Sequence, residues 1–153
     1  YVHENLGWNY RMTNMQAAVG VAQMERWDEF LQRKIAIGTR YSEQLSDVTE
    51  LQLPLFSTDI AQNVFWVFGV VLKNGMKADE MREKLSKQGV SSRAFFCPLH
   101  LQPVLQRMGM FSKQHFPVSE WLWPYGLYLP SGVGTTDDEI DQSVAALRAC
   151  LAL

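Results

Sequence analysis

From Met15 onward, apolar residues return at helical spacing: Met15, Ala18, Val19, Ala22, Trp27, Phe30, Leu31, Tyr41 and Leu45. Thr13 stands just ahead of the run as a helix cap, and Gln16 completes a capping box three residues later. The pattern predicts one long helix over residues 13–45, bending near Gly38, after an irregular segment (residues 1–12) hinged at Gly7. A helix of that length in a small chain predicts a spine between two domains or two subunits.

A different rhythm follows. Pro54 and residues 57–61 read as a loop. Residues 64–72 are short, apolar and rich in β-branched and aromatic side chains, which predicts a buried strand. Asn74-Gly75 predicts a turn, and residues 78–88 an amphipathic helix stopped by Gly89. Residues 90–96 predict a second strand. Pro98 and Pro103 bracket a loop carrying His100, Pro117 opens a short helix to about Trp123, and Gly126 to Leu129 is a third strand. Thr136 and Glu139 form a second capping box, ahead of a helix with an apolar stripe of Ile140, Val144, Leu147 and Leu151. These elements predict an α+β fold, helices on one face of a short mixed or antiparallel sheet. Residues 1–46 form a leading segment and connecting helix, and residues 47–153 a small domain.

Composition narrows the class. The 153 residues suit one domain, 47% hydrophobic and 20% charged. Five tryptophans and 12% aromatic residues imply an aromatic core or an interface. A net charge of −2 with no basic stripe gives no pointer to nucleic acid or a membrane surface. No apolar run approaches the ~20 residues of a membrane span. Cys97 and Cys150 make neither a metal motif nor a disulfide framework, so a reducing cytoplasm fits. The chain begins at Tyr1 without an initiator Met, either through trimming or because it starts inside a larger protein.

Five residues are candidates for chemistry, each with a plainer alternative. Asn9 could donate to an anion near the helix start, or stabilise its own turn. Arg11 could grip a phosphate or carboxylate, or make a structural ion pair. Tyr10 is a ligand contact or an interface residue. His100 sits in a loop of the kind that carries function, yet could be a packing histidine. Arg93 is a contact for an anionic ligand or a solvated strand end. His3 and His115 lack partners at metal-ligand spacing. Gly132 and Gly134 are too sparse for a nucleotide loop. Asp137, Asp138 and Glu139 suit the positive end of a helix and need no catalytic role.

Taken together, several segments resemble the DegT/DnrJ/EryC1/StrS aminotransferases. They are His3, Gly7, Asn9-Tyr10-Arg11-Met12-Thr13-Asn14, Gln16-Ala17-Ala18 and Gln23-Met24-Glu25; then Ser92-Arg93-Ala94-Phe95-Phe96, Pro98-Leu99-His100 and Gln102-Pro103; then Phe116-Pro117-Val118-Ser119-Glu120, Gly126-Leu127 and Leu129-Pro130-Ser131-Gly132. The order matches and nearly the whole chain is covered, most similarly to the perosamine-synthase-like branch. The resemblance implies the small C-terminal domain of an aspartate-aminotransferase-like enzyme of PLP fold type I (PLP, pyridoxal phosphate). It implies a cytoplasmic homodimer with shared active sites. The amino group, from glutamate, would pass to a keto-sugar nucleotide, a 4-keto-6-deoxyhexose. A large N-terminal domain would carry the PLP lysine. Asn9 and Arg11 would face the PLP phosphate of the partner subunit, while His100, Arg93 and Tyr10 would border the sugar nucleotide.

The lysines are Lys34, Lys73, Lys77, Lys84, Lys87 and Lys113, each on a charged helix face, in a turn or in a polar loop. None stands in a motif like the family's lysine loop, so the chain alone is expected to hold no PLP and to be catalytically incomplete. The alternative is a free-standing, non-catalytic dimerisation or binding module derived from such an enzyme.

Overall fold

A computed structural model describes residues 2–8, 10–111 and 113–151. The predicted long helix is two helices, α1 (Asn14–Met24) and α2 (Trp27–Gln44). The Thr13 capping box forms on both sides, the Thr13 hydroxyl accepting from the Gln16 N–H and the Gln16 side chain from the Thr13 N–H. The break falls at Arg26, not Gly38. Arg26 leaves helical geometry at φ −111° and ψ 18°, and its guanidinium folds onto Glu29 at 2.5 and 2.8 Å. Gly38 lies inside α2 for a packing reason, since a methyl there would sit 2.2 Å from the Phe65 ring.

The sheet has four strands, β1 (Leu51–Gln52), β2 (Phe68–Leu72), β3 (Arg93–Ala94) and β4 (Gly126–Leu129), in the order β1-β2-β4-β3. Every pairing is antiparallel, with Phe68 opposite Leu129, Val70 opposite Leu127 and Arg93 opposite Tyr128. The predicted strand at 64–72 is shortened at its start. Asn63 Oδ1 accepts from the Phe65 N–H at 2.7 Å, and Phe65 takes a left-handed backbone at φ 50°, which no strand accommodates. The strand predicted at 90–96 pairs only over Arg93–Ala94, with one further bond from the Phe95 N–H to the Gly126 carbonyl. Gly89, at φ 78°, stops α3 (Ala78–Lys87) as expected.

Two short elements that periodicity did not predict, a 3-10 turn Leu99–Leu101 and α4 (Pro103–Arg107), fill the loop between the prolines. α5 (Pro117–Tyr125) runs past Trp123 and through Pro124 to β4. α6 (Asp137–Leu151) starts on the Thr136–Glu139 box, with the Glu139 carboxylate accepting from the Thr136 N–H at 2.7 Å.

The alternation of β2 divides the sheet's two faces. Phe68, Val70 and Leu72, with Leu127 and Leu129, meet Ile37, Tyr41 and Leu45 from α2, Met81 and Leu85 from α3, and Ile140, Val144 and Leu147 from α6 in one buried cluster. Each such side chain stabilises the fold by roughly 1.5–3 kcal/mol through burial. Tyr41 stacks on Phe68 at 4.8 Å and donates its hydroxyl to the Pro130 carbonyl at 2.8 Å. On the other face Phe95 stacks on Tyr128 at 4.6 Å, and its ring occupies the space a side chain at Gly126 would need. A polar clasp closes α2 on α6, with Arg33 on Asp137 and Arg40 bidentate on Asp141. Arg148 reaches back to Asp47 and the Gln44 carbonyl. No described helix is long and apolar enough to cross a membrane.

Candidate functional site

At His3 and Glu4 the leading segment lies against the proline-bracketed loop. The His3 N–H donates to Gln102 Oε1 at 2.7 Å, the Val104 N–H to the His3 carbonyl at 3.1 Å, and Arg107 pairs with Glu4 at 2.7 Å. Gln102 is buried, and its amide also donates to the Cys97 carbonyl, so one side chain joins segment and loop. Beyond this anchor Tyr10 is 85% exposed. Arg11 is exposed and makes no ion pair among the described residues. Asn9 lies outside the described residues.

His100 is buried in the 3-10 turn. Its Nε2 is 2.9 Å from Glu120 Oε1, its ring centre is 4.7 Å from that of Phe116, and its carbonyl accepts from Gln106 Nε2 at 3.2 Å. Glu120 Oε1 also accepts from the Phe116 N–H at 2.9 Å, with His115 Nδ1 3.7 Å away. That backbone N–H, aided by His100 and opposed by partial burial, holds the Glu120 carboxyl below the usual carboxylate range. An ionised Glu120 can only accept, so Nε2 of His100 carries the proton. The histidine is thus packed and partnered on the wall of a pocket of about 420 Å³ that it shares with Glu120, Met110 and Phe111.

Arg93 is elsewhere. It lines a cleft of about 450 Å³ at one end of the sheet, where β2 and β3 begin and β4 ends. Lys34 from α2 closes the cleft and donates to the Ser131 carbonyl. Trp66 and Tyr128 form walls, and Ser92 contributes a buried hydroxyl without a hydrogen-bond partner among the described residues. Burial pushes the Lys34 ammonium below its ordinary range.

The five sequence candidates therefore fall in three places: Asn9, Tyr10 and Arg11 on the leading segment, His100 in the loop pocket, Arg93 in the cleft. Spacing did not single out Lys34, Trp66, Glu120 or Gln102. Lys34 follows Arg33 on what reads as a solvated charged face, and only the fold turns it inward.

Pyridoxal phosphate needs an amine for its aldehyde, a carboxylate for its ring nitrogen and donors for its phosphate. The described residues do not assemble that set. Lys34 shares its cleft with no carboxylate. Lys77 is held by the Tyr125 hydroxyl at 2.9 Å, and Lys84 by Glu80 at 3.0 Å. Lys73, Lys87 and Lys113 are exposed. Among the described residues no group of His, Cys, Asp and Glu could hold a metal ion.

The chain is similar to known proteins along most of its length. The GDP-perosamine synthase of Caulobacter vibrioides is 33% identical over 148 residues, 95% of this chain and 39% of that protein. The GDP-perosamine synthase of Escherichia coli O157:H7 is 30% identical over 142 residues, 92% of this chain and 36% of that protein. The DesV structure of S. venezuelae, in complex with a ketimine intermediate, matches with a TM-score of 0.79 at 26% identity, over 97% of this chain and 39% of that one. The aminotransferase TlmJ from Streptoalloteichus hindustanus matches with a TM-score of 0.77 at 25% identity, over 90% and 36%. The chain thus spans under two fifths of the length of these relatives and has the fold of a small α+β part of them. The family model of the DegT/DnrJ/EryC1/StrS aminotransferases matches residues 1–148, and the chain belongs to that family.

Proposed function

We propose that this chain is the C-terminal portion of a PLP-dependent enzyme that transfers an amino group from glutamate to a keto-sugar nucleotide, a 4-keto-6-deoxyhexose. The observation that carries the reading is the family match over residues 1–148 in a chain that spans 39% of the Caulobacter vibrioides GDP-perosamine synthase. In this reading a large N-terminal domain supplies the lysine, the acid for the ring nitrogen and most cofactor contacts. Residues 1–46 are the connector and 47–153 the small domain of a cytoplasmic homodimer. Asn9 and Arg11 take the phosphate of the PLP in the partner subunit. Tyr10, Arg93 and His100 border the sugar nucleotide, His100 through the loop it anchors on Glu120.

The alternative is a non-catalytic module, favoured by the absence of a lysine placed for PLP. The DNA upstream of the Tyr1 codon separates the two. An open frame encoding a lysine loop supports the enzyme, and a start codon close by supports the module. The decisive assay uses the longer product with glutamate and a GDP-linked 4-keto-6-deoxyhexose. Glutamate-dependent formation of the amino sugar, seen by mass spectrometry, is expected. Its absence with PLP bound overturns the substrate assignment.

A further inference from the structure

Among the described residues, the leading segment is tied to the small domain at one place. Of those ahead of Arg26, only His3 and Glu4 make a hydrogen bond or ion pair with residues 47–153. Residues 5–8 and 10–24 are exposed throughout. The three contacts at this place are unequal. The Glu4–Arg107 pair is exposed on both sides, and ion pairs of that kind contribute little. The bond from the Val104 N–H to the His3 carbonyl is backbone alone. Gln102 makes the third with a side chain that is 5% exposed, reaching across 99 positions of sequence to the His3 N–H.

The loop under this clip is braced from within. The Leu101 N–H donates to the Pro98 carbonyl at 3.0 Å and the Gln102 N–H to the Leu99 carbonyl at 3.1 Å. Gln106 Nε2 holds the His100 carbonyl, and His100 Nε2 is fixed on Glu120. The Gln102 amide nitrogen donates to the Cys97 carbonyl at 3.1 Å, so the loop itself orients the buried side chain and leaves Oε1 for the His3 N–H. A buried amide is costly to leave unpaired, which holds that orientation. Neither Gln102 nor His100 belongs to the core cluster, so the clip joins segments rather than holding the domain together. With the clip in place, the stretch that carries Tyr10 and Arg11 is closed at both ends, at His3 and at the Thr13 cap. Without it, residues 2–24 hang from α2 by the chain alone, and the freedom that closure removed returns.

We propose that Gln102 is a positioning residue, whose side chain makes the leading segment and the His100 loop one unit and so sets how the groups on each are presented to substrate. The role rests on the aminotransferase reading above; the clip itself does not. The clip is tested in the 153-residue chain by amide exchange and relaxation in nuclear magnetic resonance. Gln102→Met, close in size but at best a weak acceptor, should speed exchange of the His3 amide about tenfold or more and loosen residues 4–8. His3→Pro removes the same donor from the exposed side and should loosen residues 4–8 equally, so the test stands even where Gln102→Met fails to fold. Arg107→Gln, which removes only the exposed pair, should leave the His3 amide protected. A His3 amide that exchanges as fast in wild type as in Gln102→Met overturns the proposal, as do residues 4–8 equally ordered in wild type and His3→Pro. The role is tested in the longer product with glutamate and a GDP-linked 4-keto-6-deoxyhexose. Each variant should raise KM for the keto-sugar nucleotide about three- to tenfold, the range of one net hydrogen bond, with kcat, PLP content and melting temperature little changed. The double variant should be no worse than either single one, because both cut the same bond. Amino transfer with KM unmoved in both variants, or with losses that add in the double variant, overturns the positioning role and leaves the aminotransferase standing. No amino transfer at all brings down the aminotransferase reading, and the role with it.

Discussion

Phe65 and Gly38 show how much can hang on one missing side chain. The Phe65 ring fills the space where a Gly38 Cβ would be, 2.2 Å from its nearest ring atom. Alanine would gain helix propensity of about 1 kcal/mol in the middle of α2. Overpacking a filled core costs about 1–3 kcal/mol, and a ring against the backbone of a packed helix cannot swing aside cheaply. Gly38→Ala should therefore be destabilising, by up to about 2 kcal/mol in chemical denaturation, against the direction propensity alone gives. An unchanged or higher midpoint would mean that Phe65 can leave its seat. Asn9 tests the family reading at the same scale. In the longer product, Asn9→Ala should weaken PLP retention by about 1.5–3 kcal/mol, the worth of a hydrogen bond to a charged phosphate, with oligomeric state unchanged. Equal PLP affinity in the variant would return Asn9 to a role in its own turn.

Between elements, the clasp of α2 on α6 makes a pH prediction. The Asp141 carboxyl is held below its ordinary range by the Arg40 guanidinium first and by the Gln44 amide second. A depressed carboxylate contributes stability above its unfolded value of about 3.9, and loses it as pH falls through the folded value. Asp141→Asn should lower the melting temperature at neutral pH, and the gap should close only below about pH 4. A gap that persists into strong acid would show that charge is not what Asp141 contributes. Elements set by local chemistry were legible in the sequence: both capping boxes, the Gly89 stop and the strand Gly126–Leu129. Those set by distant contacts were not. The break at Arg26 carries no Gly or Pro. The loss of residues 64–67 from the strand depends on Gly38 and Asn63. The site divides the same way. The family motifs stand in continuous segments, whereas the cleft draws on residues 34, 66, 92, 93 and 131, which no spacing rule brings together.

On the scale of the whole molecule, α1 is the part that does not close. Asn14–Met24 contains no charged residue, and every residue in it is exposed. Met15, Val19, Val21 and Met24 lie on it, with Trp8, Tyr10 and Met12 before it and Trp27 after. Each large apolar side chain left in water forgoes about 1.5–3 kcal/mol. A helix apolar on all sides is one that belongs inside something. In the enzyme proposed above, the N-terminal domain and the partner subunit would supply that cover. In this chain another copy would supply the cover, and a symmetric dimer is the simplest arrangement because one patch then buries itself. The chain should therefore self-associate, with sedimentation velocity showing a weight-average mass that rises with concentration. Replacing Met15 and Val19 with glutamate should shift it toward monomer without lowering the melting temperature, since neither residue touches the core. The competing possibility is that α1 frays or folds back onto its own domain. Hydrogen exchange separates the two, because an interface protects α1 more as concentration rises and a fold-back protects it equally at every dilution. A chain that stays monomeric at high micromolar concentration with α1 protected would show that this helix finds its cover within the chain.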